Sequence, residues 1–501
     1  MATRRRPLTV EDLVQRATGG RNFNRHALLR PSLTYYLLKD PFWAWCEYHA
    51  PKEEAVDETT RYDDLRMHRG VAHEEQWVAA NFPDAVKIEP GFGFDALKNT
   101  FRAMLNGAPA IYQPQLWDLE RESYGKGDLL VRDDTAASDF GPYHYRVLEL
   151  KRAPALQEYH ALQAAFYNEN IGRLQGFTPG ELTVVLKDSR ATVPCKGKEH
   201  EIQKLRELWK SLRDGTTVPE SRRPPNATSS PWRLYGNRRA TEEKDLVLLA
   251  GIQKRERNKL RKAGIQRVDQ LWNLRQEEIT DIIGEHYSAI ACSVAKAYRI
   301  GGPIIKPGRR LEILRARRQL YFDFETSDWV HPTEPPHAYL IGCYDGARDQ
   351  FVKFLARGAE DEGRIFEEFL DYVGDCRDVR LYHWTDFEIH QMRRVARRWP
   401  ALAGSLERLM EHCVDLKEAI QSAVYLPVPS FSIKSVAPAL GFHWRQKDIG
   451  AYQSMVCYWD YLENRDLFAI DRALIYNEDD CRAMWQVDQT LTARLQFSPR
   501  D

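Results

Sequence analysis

The sequence predicts an α/β multidomain chain. Three observations carry this: a length of 501 residues, two separate stretches in which an apolar strand carrying ionisable side chains leads toward a helix, and an abrupt change of charge along the chain. The length is several times that of a usual domain, and 43% apolar with 11% aromatic residues is enough for more than one core. That composition excludes a mainly disordered chain. Lys and Arg balance Asp and Glu at 72 each, so only the distribution of charge is informative. Residues 254–318 hold 16 basic against 7 acidic side chains, whereas 319–501 hold 20 against 30. A basic module beside an acidic one suits a nucleic-acid binder coupled to a metal-dependent enzyme.

No run of 18 apolar residues occurs, so no membrane span is expected. The basic start MATRRRPLTVEDLVQRA lacks the apolar core of a secretory signal. The eight cysteines are scattered without a CxxC pair, which predicts neither a disulfide framework nor a cysteine metal cluster and fits a reducing cytoplasm. Ser221 to Thr241, rich in Pro, Ser, Asn and Arg, reads as a boundary loop, and Gly301 to Gly308 as a second break. The expected domains are 1–235, 240–305 and 315–501.

The first stretch holds four elements in order. HRGVAHEEQWVAANF is a helix pattern with His73 and Glu74. YGKGDLLVRDD is a strand opened by Asp128. YRVLELKRA is a strand with Glu149 and Lys151, and LQEYHALQAAFYNENIGRL is a helix with Gln163 and Tyr167. Strand residues two apart share a face, so Glu149 and Lys151 point together while Leu148 and Leu150 enter a core. The spacing from Asp128 to Glu149 allows a hairpin, which lets both carboxylates converge on a hard cation such as Mg2+. His73 is a candidate further ligand. Lys151 is placed to position a water or stabilise charge on a phosphate. Gln163 and Tyr167, one helical turn apart, can hold the substrate backbone or orient Lys151. Each feature alone is common; the ordered set is not.

Gly70 with His73 and Glu74, then GKGDLL, LELK and QAAFY, resemble the motifs of RecB-type nucleases of the PD-(D/E)XK superfamily. The resemblance implies a restriction-endonuclease-like domain in which His73, Asp128 and Glu149 bind metal, Lys151 is catalytic, and Gln163 and Tyr167 form a QxxxY motif. MLNGAPAIYQPQLWDL is similar to the subgroup that joins this nuclease to a C-terminal ribonuclease H-like exonuclease. Many members of that subgroup bind an iron–sulfur cluster through four cysteines. Here Asp40 stands at the first of those positions, and NATSSPWRLYGN has Trp232 but no cysteine, so no iron–sulfur cluster is expected.

In the middle region, apolar residues at helical spacing are broken by Gly251 and Gly264. Ala263-Gly264-Ile265 followed by Val268 and Leu271 resembles a helix-hairpin-helix unit, which would offer backbone N–H groups to a phosphate. Lys254, Arg255, Arg257, Lys259, Arg261 and Lys262 surround it.

In the second stretch, RQLYFDFETSD is a strand with Asp323 and Glu325 on one face. RLYHWTDFEIHQM is a strand entering a helix at Glu388. FSIKSVAPALGFHW is a helix ending at Gly441, and LIYNEDDCRAMWQVDQTL is a helix with Tyr476 and Asp480 on one face. Four acids at one point repel unless cations lie between them, which suits a pair of Mg2+ or Mn2+ ions. Such a pair supports phosphodiester cleavage, with Tyr476 orienting the attacking water. The set resembles the DEDDy exonucleases of ribonuclease H-like fold, although most of them have Asp where Glu388 stands. The resemblance implies 3′ to 5′ polarity.

The expected protein is thus a metal-dependent nuclease with two sites. Its substrate is nucleic acid, DNA favoured over RNA, single-stranded or with free ends. A helicase partner is implied by resemblance only. Two rivals are a binding scaffold with a decayed N-terminal nuclease and an enzyme that trims RNA 3′ ends.

Overall fold

The computed structural model describes residues 6–56, 60–89, 91, 93–221, 230–328, 335–446 and 449–496. The chain sorts into two units, one made of Met1–Glu54 with Met67–Glu220 and the other of Ala55–Arg66 with Ser221–Asp501.

The first unit is built on strands β1 Val86–Lys87, β2 Ala110–Tyr112, β3 Gln115–Asp118, β4 Ser123–Lys126, β5 Leu129–Asp133, β6 His144–Leu150, β7 Glu181–Val185 and β8 Arg190–Pro194. Six of them form one mixed sheet in the order β1-β2-β5-β6-β7-β8, and β3 pairs with β4 in a hairpin. β5 and β6 are antiparallel, with Leu129 opposite Leu148, as the hairpin spacing requires. Both faces of β6 are covered. Leu148 and Leu150 pack with Leu129, Tyr112 and Val185, while Val147 enters the larger core with Trp117, Tyr145 and Phe166. Glu149 therefore lies on a buried face and is 0% exposed. The helix Glu158–Gln175 supplies Ala164, Ala165, Phe166 and Ile171 to that core and ends at Gly176 in the left-handed conformation. Asp40 caps the helix Pro41–His49, its side chain accepting from the Trp43 N–H, with Pro41 at the first turn where no donor is needed.

The second unit contains β9 Ile304–Ile305, β10 Arg318–Thr326, β11 Ala338–Asp345, β12 Gln350–Leu355, β13 Val379–His383, β14 Cys413–Asp415 and β15 Val424–Tyr425. Five of these form a sheet in the order β12-β11-β10-β13-β14. β11 is antiparallel to both its neighbours, β12 and β10, and β13 and β14 continue parallel to β10. All eight residues of β11 are buried, as its continuous apolar run requires. Phe322 and Phe324 of β10 pack on Phe366 and Phe369, each contributing roughly 1.5–3 kcal/mol by burial. The helix Leu467–Gln496 packs on the sheet through Ala483, Val487 and Leu491. Its Asp488, fully buried, is ion-paired with Arg315 and accepts from the Tyr321 hydroxyl.

The middle region has its own apolar core of Leu246, Ile252, Leu260, Ile279 and Val294, although it is grouped with the second unit. Gly251 and Gly264 both have positive φ, at 84° and 88°, where a Cβ would be strained. The boundary loop expected through Thr241 ends earlier, because Arg233–Glu242 is a helix beginning beside the buried Trp232. Residues 222–229 of that segment lie outside the described residues.

Candidate active site

In the second unit, strand geometry puts Asp323 and Glu325 on one face of β10. The helix Leu467–Gln496 brings Asp480 to them, and one carboxylate oxygen from each of the three lies within 4.8 Å of the others. Glu325 and Asp480 are buried. Asn477, one turn before Asp480, donates from Nδ2 to Asp323 Oδ2 at 2.8 Å. This approach is possible because the residue opposite Asp323 on β11 is Gly342, where a Cβ would overlap the Asn477 amide. Asp480 Oδ1 accepts from Trp444 Nε1 at 2.6 Å and is ion-paired with Lys434. The Lys434 ammonium lies 4.1 Å from the Trp444 ring centre and 4.2 Å from that of Tyr476.

Glu388, at the start of the helix Phe387–Arg398, is only 4% exposed, and its Oε2 has no hydrogen-bond partner. His383 Nδ1 stands 3.7 Å from that oxygen. Glu388 is outside the 4.8 Å group, but its charge still reaches Asp323.

Burial, then Glu325, Asp480 and Glu388, raises the Asp323 carboxyl well above the usual range. Burial and Asp480 push Glu325 up to about 8. Burial, with Asp415 adding to it, pushes Glu388 up to about 8. Tyr476 is raised well above its ordinary value, first by burial and then by Asp480, and so stays a hydroxyl donor. Several buried acids and one orphaned carboxylate oxygen form a hard-oxygen donor set that fits a divalent cation.

In the first unit, Asp128 and Glu149 meet across the β5–β6 pair. Asp128 N–H donates to Glu149 Oε1 at 3.3 Å, and Leu150 N–H donates to Asp128 Oδ2 at 2.8 Å. Lys151 Nζ lies 2.9 Å from Glu149 Oε2 and 3.3 Å from Asp128 Oδ2. Gln163 Nε2 reaches Glu149 Oε2 at 3.4 Å, and burial raises the Tyr167 hydroxyl well above its ordinary value, so it stays neutral. Burial followed by Asp128 lifts Glu149 to about 8. Burial alone would depress Lys151, but Asp128 and then Glu149 outweigh it and hold the ammonium.

A model of the RNase H superfamily matches residues 320–492. No curated protein matches the chain. The matched region spans Asp323, Glu325, Glu388, Tyr476 and Asp480, and the match supports an RNase H-like, metal-dependent nuclease domain in the C-terminal part.

The structure thus brings Asp323, Glu325 and Asp480 into one cluster with Tyr476 beside them, and joins Asp128, Glu149, Lys151 and Gln163 in another. His73 joins no group of three metal-capable side chains among the described residues. Its neighbour Glu74 is the helix residue that senses Asp128: burial, then Asp128, raises Glu74 to about 7. Gln113 Nε2 approaches Glu74 Oε1 at 3.5 Å, and Gln113 Oε1 accepts from Lys126 at 3.0 Å. Gln113 holds a left-handed φ of 57°, an uncommon conformation for a residue with a Cβ. Sequence reasoning missed Lys434, Trp444, Asn477 and Gln113. The Trp in GFHW and the Asn preceding the acids were visible, but neither residue type announces a contact to a distant carboxylate.

Of the basic residues expected around the hairpin, Arg257 is turned inward, donating to the Ile252 carbonyl, and Arg261 pairs with Asp245. Lys254, Arg255 and Lys262 remain exposed. No helix among the described residues is long and apolar enough to cross a membrane.

Proposed function

We propose that this chain is a two-site nuclease. A DEDDy-type 3′ to 5′ exonuclease site would lie at Asp323, Glu325, Glu388, Tyr476 and Asp480. A RecB-type site would lie at Asp128, Glu149 and Lys151, with Gln163 and Tyr167 supporting it. The observation that carries the reading is the Asp323–Glu325–Asp480 set, from each of which one carboxylate oxygen lies within 4.8 Å of the others.

Asp323, Glu325 and Asp480 would hold Mg2+ or Mn2+, with Glu388 turning its unpartnered oxygen toward it. Such a metal, when bound, lowers the pKa of a water and polarises the phosphodiester. Tyr476, kept protonated, donates to and aligns the attacking water. Asn477 fixes the Asp323 carboxylate in one orientation. In the other site Lys151, kept as an ammonium, faces charge developing on a phosphate oxygen, and Gln163 holds Glu149 in place. Lys254, Arg255 and Lys262 would contact the strand backbone without reading sequence. The favoured substrate is DNA with a free end.

End-labelled single- and double-stranded DNA and RNA should be incubated with Mg2+, Mn2+ or EDTA. Glu149→Ala should remove endonucleolytic or 5′-directed cutting and spare 3′ trimming, while Asp323→Ala does the reverse. Loss of both activities in either variant refutes two independent sites. Binding without metal-dependent cleavage in every lane would make the protein a scaffold.

A further inference from the structure

Lys434 is the one basic side chain seen against the acids of the RNase H-type cluster among the described residues. It comes from the short helix Ile433–Ala439. The ammonium is ion-paired with Asp480, a member of the proposed metal set, and is flanked by the rings of Trp444 and Tyr476. The side chain is 33% exposed. It also lines a cleft of about 270 Å3 together with Pro438, Phe442, His443 and Trp444, a lining that includes none of the clustered acids. Trp444 Nε1 holds the same Asp480 oxygen, which leaves the carboxylate anchored when the ammonium departs.

We propose that Lys434 is an exchangeable counter-ion: it neutralises Asp480 while no metal is bound, and on metal entry it gives up that carboxylate and takes a phosphate oxygen of the strand. This rests on the nuclease reading of the site. The physical ground is charge. A divalent cation among these acids replaces the ammonium as their partner and repels it at short range. The nearest remaining anion is then the backbone of a strand lying in the cleft, and the two aromatic rings keep a cation favourable there in transit. Metal loading and strand binding are thereby coupled.

The test measures Mn2+ binding directly, from the resonance of free Mn2+, in wild type, Lys434→Met and Lys434→Arg, alongside thermal unfolding in EDTA and in saturating Mn2+. Removing the competing charge should tighten Mn2+ binding in Lys434→Met by about tenfold, with Lys434→Arg close to wild type. Lys434→Met should melt below wild type in EDTA, and Mn2+ should erase that deficit. In Ca2+, Lys434→Met should bind an oligonucleotide more weakly. Unchanged or weaker Mn2+ binding in Lys434→Met overturns the proposal, as does an equal melting deficit with and without metal, which marks a merely structural lysine. If the wild type itself takes up no Mn2+, the nuclease reading of the site falls first.

Discussion

Raising the pH of the metal-free protein from about 6.5 to about 8 should destabilise the second unit, and Glu325 supplies the worked magnitude. Its carboxyl titrates at about 8 in the fold against 4.5 when free. A folded pKa raised in this way gives stability that is complete below the free value and is lost as pH climbs through the folded one. Across the 1.5 units of that window the loss for one such carboxyl is about 2 kcal/mol. For a unit of this size that is a fall in Tm of about 3 °C. Glu388 shifts upward for the same reason, burial, and adds in the same direction. His383, lowered from 6.5 by burial, acts oppositely, but only below that pH, so the window starts above it. Circular dichroism melts in EDTA at several pH values measure the slope. Saturating Mn2+ should flatten it, because the metal takes the ionised acids. A Tm that is level or rising with pH in EDTA, or a Glu325→Gln variant with the full wild-type slope, would refute the reasoning.

Gly342→Ala should cost about 1–3 kcal/mol in denaturant melts, and should weaken metal-dependent cleavage by the proposed RNase H-type site, because the new methyl displaces Asn477 from Asp323. Glu74→Gln should reduce cleavage by the proposed N-terminal site on the order of tenfold, more than His73→Ala does; the opposite ranking in a cleavage assay would favour His73 as the helix-borne ligand. Lys254→Ala with Arg255→Ala should lower strand affinity and flatten its salt dependence. Arg257→Ala should lower stability instead, since that guanidinium caps the Ile252 carbonyl inside the core.

Much of how both candidate clusters come together was legible because local periodicity fixes direction. Asp323 and Glu325 share a face by strand alternation, Tyr476 and Asp480 by the helical turn, and Asp128 meets Glu149 because a hairpin of that length closes one way. Choosing between His73 and Glu74 was beyond such rules. Adjacent helix residues differ by about 100°, and only the packing of Arg61–Asn81 decides which one turns toward Asp128. Lys434 and Gln113 escaped for a related reason. A single lysine on a short helix, or a glutamine in a turn, reads as solvated surface until tertiary structure sets a carboxylate beside it. In the basic middle region the residue types were right, but the sequence does not tell which arginines satisfy buried carbonyls and which face water.

The position of Asp480 along the chain also governs when chemistry becomes possible. During synthesis β10 emerges with Asp323 and Glu325, then β13 and Glu388, yet the third carboxylate, its lysine and its tryptophan come from segments made far later. A nascent or truncated polypeptide lacking the Leu467–Gln496 helix has half a cation cradle and no closing wall. The RNase H-type cluster is therefore completed only when its long C-terminal helix docks, whereas the Asp128–Glu149–Lys151 cluster is assembled from segments made much earlier.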